Sequence, residues 1–160
     1  MVEEYVAGRE LTCSVLESKV GGFVRALPIT EIKPREGRFF DYHAKYTPGA
    51  TEEITPAVIS NQLAEEIGEI AVHVHEIVGC RIWSRSDFIV DDHGPVWIEV
   101  NTVPGLTPTS LYPQAAEAAG VSYDRLMRLF VEAAMDAAAQ EQAGNEAATG
   151  KPANGDPQSA

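Results

Sequence analysis

The sequence predicts an α/β (α+β) fold, strands joined by turns and flanked by helices, and three patterns predict it. Leu11, Cys13 and Val15 alternate with polar Thr12 and Ser14, the period of a half-buried strand. Ile59, Leu63, Ile67, Ile70, Val74 and Ile77 recur at spacings of three and four, one face of an amphipathic helix. Two strand patterns, 82–90 and 96–101, flank Asp91-Asp92-His93-Gly94, a hairpin signal.

Taken in order, residues 2–16 read as extended, Gly21-Gly22 as a turn and 23–32 as a second strand. Residues 33–37 read as a loop. Phe39-Phe40-Asp41-Tyr42 is a short aromatic strand, followed by a polar loop through Pro48-Gly49. Thr55-Pro56 reads as a helix N-cap followed by proline at the first helical position. That long helix should end near Gly79. A short helix follows Pro113 and stops at Gly120, and Ser122 can cap a last helix carrying Leu126, Leu129, Phe130 and Ala133. From about Gln140 the composition is Ala, Gly, Asn, Gln, Pro and Glu without periodicity. Residues 1–140 are expected to fold and 141–160 to form a disordered tail. There is no internal repeat.

The 160 residues suit one domain. Twenty-four acidic against 12 basic residues give a net charge of -12, which argues against binding nucleic acid or an anionic membrane surface. An anionic substrate stays open, because a metal ion or a few local cations can reverse the local field. No apolar run approaches the length of a membrane span. Cys13 and Cys80 are too few and too far apart for a disulfide framework or a zinc site. They are expected to be reduced thiols, and the expected compartment is the cytoplasm. His73 and His75 are two apart on the long helix and point in different directions, which argues against a metal site built on them.

The chemistry concentrates in the hairpin. Arg85 and Asp87 share one face of its first strand, and Glu99 and Asn101 share one face of its second. A three-residue loop, Asp92-His93-Gly94, would place Asp91 opposite Pro95, Asp87 opposite Glu99 and Arg85 opposite Asn101. A two-residue loop would send the two pairs to opposite faces. Two carboxylates directly opposite each other repel and need compensation. Arg85 neutralising them in a surface ion cluster is one reading. A cation is the other, since Asp, Glu and Asn oxygens on a rigid sheet suit magnesium together with phosphate oxygens and waters.

The segments "SRSDFIV" and "VWIEVNTVPGLTPTSLYP" resemble the C-terminal signature of D-alanine–D-alanine ligases, in the ATP-grasp superfamily. "FFDYHAKY" at 39–46 and "VEEYVAGREL" at 2–11 resemble two further motifs of that family, in the family's order. The resemblance runs from about Val2 to Ala138. It implies an ATP-grasp C-terminal domain, a mostly antiparallel sheet flanked by helices with one face open. It implies an enzyme that joins two D-alanines with ATP, through an acyl phosphate, for peptidoglycan synthesis, and a homodimer formed largely through parts outside this sequence.

Residue by residue, the resemblance makes Asp87, Glu99 and Asn101 ligands of two magnesium (or manganese) ions. Arg85 and the backbone N–H of Gly105 would stabilise the acyl phosphate and the later oxyanion. Ser110 and Leu111 would hold the carboxylate of the second D-alanine, although Ser110 read from spacing alone is a plain helix cap. For ATP, Glu3 and Val6 would meet the adenine edge and Glu10 the ribose hydroxyls. Phe39, Ile89 and Ile98 would sandwich the ring, and Lys45 would reach the phosphates. Tyr46 would link to the loop that closes the site. Two departures stand out. The family has a glycine where this sequence has Ile82, in "CRIWSRSD". The family's donor-alanine domain and glycine-rich phosphate loop have no counterpart here, so the chain alone is expected to show no appreciable ligase turnover. The competing readings are a non-catalytic fragment that binds nucleotide or a partner, and a related ligase with D-lactate or D-serine as acceptor.

Overall fold

A computed structural model describes residues 2–18, 22–34 and 51–149. The elements are β1 (Arg9–Ser18), β2 (Phe23–Ala26), β3 (Thr30–Pro34), β4 (Thr51–Ile54), α1 (Asn61–Ile77), β5 (Trp83–Asp91), β6 (Gly94–Asn101), α2 (Leu111–Ala118) and α3 (Tyr123–Thr149). Among the described residues six strands form one sheet in the order β4-β3-β1-β5-β6, with β2 also paired to β1. Every pairing is antiparallel. The mostly antiparallel sheet with flanking helices expected from the sequence is therefore observed.

β1 organises the sheet. Its odd residues Leu11, Cys13 and Val15 join Ile29, Ile67, Ala71 and Phe88 in a core under α1. Burying side chains such as Leu11, Ile67 and Phe88 stabilises the fold by roughly 1.5–3 kcal/mol each. On the other face Leu16 joins Leu27, Tyr112, Ala115, Ala116, Leu126 and Phe130 in a second core under α2 and α3. Trp83 stacks on Phe130 with ring centroids 4.4 Å apart, and the buried Tyr112 hydroxyl donates to the Val15 carbonyl at 2.9 Å. These contacts cover one end of that face. The rest of it carries Glu10 and Thr12 of β1 and lies open to the cavity described below. Cys13 is buried and Cys80 half-buried, both free thiols, and burial pushes Cys13 up to about 12.

Several expectations need correction. The second strand pattern is two strands, broken at Leu27-Pro28-Ile29. Proline has no N–H for the ladder, and Leu27 and Ile29 turn into the two cores. Lys33 and Pro34 belong to β3 rather than to a loop. The long helix starts after Ser60, not Thr55: the Ser60 hydroxyl accepts from the Leu63 N–H at 3.2 Å, while the Thr55–Pro56 peptide is cis. Its buried face is Ile67, Gly68, Ala71 and His75, and Ile77 is exposed. The last helix continues to Thr149, past the expected end of the folded part. Alanine, glutamine and glutamate favour helix without any apolar stripe. The aromatic strand expected at 39–42 lies outside the described residues.

The hairpin reaches the expected partners by an unexpected route. Its loop has two residues, Asp92 and His93, and Asp91 faces Gly94. The Asp91 carboxylate accepts from the N–H groups of His93 (2.7 Å) and Gly94 (3.2 Å), and Gly94 sits at φ 128, where glycine is favoured. Phe88 then faces Trp97, and a β-bulge follows. Ile98 is the extra residue, so Asp87 faces Glu99 and Arg85 faces Asn101 after all.

Ile82 is the non-glycine residue with positive φ among those described, at 73°. Its N–H donates to Glu17 Oε2 at 3.0 Å and its carbonyl accepts from the Glu17 N–H at 2.8 Å, which locks the turn into β5. This is the position where the resemblance implies glycine.

Two outcomes follow. Ile82→Gly should be more stable than Ile82→Ala by about 1 kcal/mol, because both lose the same packing and only glycine escapes the left-handed penalty. Chemical denaturation of the two variants checks this; the usual order, alanine above glycine, would refute it. Deletion of Ile98 should leave a regular hairpin with Asp87 still facing Glu99. Cross-strand NOEs between 87 and 99 are the expected signature, and their loss would show that the two-residue turn does not carry its register along the ladder.

Candidate active site

The open face of the sheet forms a cavity of about 450 Å³. Its walls bring together Glu10 from β1, Arg85 and Asp87 from β5, Glu99 and Asn101 from β6, and Gly105, Ser110 and Leu111 from the α2 approach. Ile32, Thr51, Glu53 and Thr109 complete it. Eight residues singled out in the sequence thus share one space.

Asp87 is the most heavily held group in it. Arg85 Nε donates to Asp87 Oδ1 at 2.9 Å, and Nη2 to Oδ2 at 3.0 Å. Thr12 Oγ1 donates to the same Oδ1 at 2.7 Å. Both side chains of the pair are largely buried, 14% and 13% exposed. Burial alone would lower the Arg85 pKa. The hydrogen bonds and charge of Asp87, then the charges of Glu99 and Glu10, outweigh it, and the guanidinium is held above its ordinary value.

The strand after β6 breaks at Pro104-Gly105. Asn101 Oδ1 accepts from the Val103 N–H at 3.0 Å, which starts the turn. A Cβ on Gly105 would lie 3.0 Å from Ser110 Oγ, tighter than ordinary contact, so glycine leaves that hydroxyl in place without a shift. Ser110 stands at the N-cap position of α2, yet its hydroxyl makes no cap bond. It accepts instead from the Thr107 N–H at 3.1 Å and lies 2.7 Å from Thr107 Oγ1. The plain-cap reading of Ser110 is therefore not what the structure shows. The loop is pinned from outside as well: the Tyr123 hydroxyl donates to the Leu106 carbonyl at 2.8 Å, and Gln114 Nε2 donates to the Thr109 carbonyl and to Glu53 Oε2 at 2.9 and 2.8 Å.

A neighbouring cavity of about 490 Å³ shares Glu10 and Ile32 and adds Tyr5, Val6, Gly8, Arg9, Glu31, Lys33 and Ile89. Val6, Glu10 and Ile89 therefore meet. Glu3 is exposed and Ile98 is 46% exposed, and neither lines the two cavities. Phe39, Lys45 and Tyr46 lie outside the described residues. The wall is braced by the buried Glu31, which accepts two bonds from Arg9 at 2.8 Å each and has Lys33 Nζ at 3.4 Å. The Arg9 hydrogen bonds hold the Glu31 carboxyl below its ordinary value of about 4.5 against the burial that raises it, and the Arg9 and Lys33 charges add to them. Sequence reasoning missed Thr12, Arg9, Glu31, Glu53 and Thr109. Thr12 had a signal, the polar face of β1, but its partner depends on a pairing between distant strands.

Asp87, Glu99 and Asn101 offer oxygen donors only, which suits a hard cation such as magnesium. Among the described residues no three His, Cys, Asp or Glu side chains cluster closely enough to hold a metal by themselves. Two carboxylates and one amide leave most of a coordination shell to phosphate oxygens and waters, which is how magnesium is usually held beside phosphates. The residues fit the ion on those terms.

The antiparallel sheet with its flanking helices is that of the ATP-grasp ligases. The family model described as "D-ala D-ala ligase C-terminus" matches residues 1–132, and the chain belongs to the D-alanine–D-alanine ligase family. It is 46% identical over 133 residues to the D-alanine–D-alanine ligase of Halalkalibacterium halodurans, covering 82% of this chain and 43% of that protein. The D-alanine–D-alanine ligase of Bacillus anthracis complexed with ATP superposes with a TM-score of 0.70 at 34% identity, over 87% of this chain and 43% of that one. The VanG D-Ala:D-Ser ligase of Enterococcus faecalis superposes with a TM-score of 0.61, also at 34% identity, over 79% and 37%. The chain spans less than half the length of these relatives.

Glu31→Gln should cost about 1 kcal/mol, because the carboxylate is buried but the Arg9 fork on it is exposed and screened by solvent. The wild-type contribution is complete above the unfolded carboxylate value and is lost as pH falls through the lower folded value. Denaturation curves between pH 7 and 3 should therefore show an acid limb that is shallower in the variant; parallel limbs would overturn this account of Glu31.

Proposed function

We propose that the chain supplies the metal, phosphate and acceptor sites of an ATP-dependent ligase that joins two D-alanines for peptidoglycan synthesis in the cytoplasm. The observation that carries this reading is the convergence of Asp87, Glu99, Asn101 and Arg85 with the Gly105–Leu111 turn in one cavity. The family supports it, and a relative of the same fold is described in complex with ATP. Among the described residues no helix is long and apolar enough to cross a membrane.

In the proposed reaction the first alanine's carboxylate takes the γ-phosphoryl of ATP to give an acyl phosphate. The second alanine's amine then displaces phosphate. Asp87, Glu99 and Asn101 would hold two magnesium ions, or manganese, which when bound neutralise phosphate charge. Arg85 and the Gly105 N–H face the charge that develops on the transferred group and then on the oxyanion. The N-terminus of α2 at Leu111, beside the Ser110 hydroxyl, is suited to the acceptor's carboxylate. Val6, Glu10 and Ile89 line the cavity proposed for adenosine, and Glu3 and Ile98 are assigned to the nucleotide on the motif alone. Phe39, Lys45 and Tyr46 are assigned to the nucleotide and the closing loop on the motif alone. The likeness to the D-Ala:D-Ser ligase favours D-serine as the second candidate acceptor.

Calorimetric titration with a non-hydrolysable ATP analogue is the test. Saturable binding is expected with magnesium, with at least a tenfold loss in Asp87→Asn or Glu99→Gln. Binding that ignores magnesium and both substitutions would refute the assignment.

A further inference from the structure

We infer that Arg85 and a divalent cation compete for the Asp87 carboxylate, so that loading the cation moves the guanidinium off Asp87 and into the cavity. The inference rests on the metal site proposed above and concerns how that site is reached. A carboxylate offers about four lone-pair positions, two on each oxygen. Asp87 Oδ1 already accepts two donors, Arg85 Nε at 2.9 Å and Thr12 Oγ1 at 2.7 Å. Oδ2 accepts one, Arg85 Nη2 at 3.0 Å. One position is left on the whole group, and it lies on the oxygen that Arg85 also holds. A dication entering there meets a guanidinium on the same atom. Like charges on one carboxylate are mutually unfavourable in a site this enclosed.

The fork has somewhere to go. The charges of Glu99 and Glu10 already favour the guanidinium, and both line the cavity with Gly105 and Ser110. Thr12 need not move, because a hydroxyl is neutral and can stay on Oδ1. The exchange therefore couples two functions that sequence treats as separate residues. Asp87 is delivered to the cation, and Arg85 is delivered to the negative charge arriving in the cavity.

The experiment uses manganese alone, titrated into the chain and followed by the electron-paramagnetic signal of free ion. The variant is Arg85→Lys, which keeps the charge but cannot make two parallel bonds to one carboxylate. Competition predicts manganese affinity about tenfold higher in Arg85→Lys than in the parent, with both chains giving the same circular-dichroism spectrum and unfolding cooperatively. Equal or weaker binding in Arg85→Lys overturns the competition and leaves the metal site standing. No saturable binding in either chain overturns the metal site, and the inference with it. A second measurement needs no variant. On saturation with magnesium the Arg85 Nε–H resonance should shift and exchange faster with water; a resonance that keeps its position and protection refutes the displacement.

Discussion

The pairing of β5 with β6 is the constraint on which the site depends. Four chemically committed side chains, Arg85, Asp87, Glu99 and Asn101, sit on two strands whose side chains alternate. One step of slip would turn half of them away. The register is set by two devices acting in sequence. Asp91 fixes a two-residue turn by accepting two backbone N–H groups, and the bulge at Ile98 then shifts the ladder by one. The turn alone would have produced the wrong faces. The bulge is what brings the two carboxylates into opposition, at a cost in repulsion that a hairpin without chemistry would have no reason to keep.

That repulsion is managed locally. Arg85 forks onto Asp87, and Thr12 holds the same carboxylate from β1. Two adjacent strands, β5 and β1, thus hold one group. A rigid sheet positions such a group better than a loop does, and the loop that completes the site is itself tied down, by Tyr123, Gln114 and Ser110. The Arg9–Glu31 fork braces the neighbouring cavity in the same manner, across β1 and β3.

Local patterns were the legible part of this molecule, and pairings were the illegible part. The alternation in β1, the amphipathic face of α1 and the cap at Ser122 could be read because each depends on neighbours in sequence. The opposition of Asp87 and Glu99 could be read as a possibility, but by the wrong route, because a turn plus a bulge and a longer turn give the same pairing from the same residues. Thr12 on Asp87 and Arg9 on Glu31 could not be read, since they join strands 75 and 22 residues apart. The start of α1 was misplaced because Pro56 imitates a first-turn proline while Ser60 makes the actual cap. Ile82 gave the opposite lesson. A departure noted in the sequence proved to sit on a left-handed backbone, a conformation that glycine adopts without strain.

The electrostatics of the cavity finally constrain what can enter it. Among the described residues lining it, four carboxylates, Glu10, Glu53, Asp87 and Glu99, face one guanidinium, Arg85. The chain as a whole carries a net charge of -12. A polyphosphate brought alone into that field would be repelled both locally and at long range. Divalent cations reverse the local sign, because they can be the largest charges in such a site. On the proposed function, the same carboxylates that would exclude a bare nucleotide would select for one accompanied by cations. On this view the acidity of the cavity and the anionic character of the proposed substrate are not in conflict. On the proposed function that acidity would make the metal obligatory, and Arg85, released from Asp87, would supply the positive charge that the metal does not.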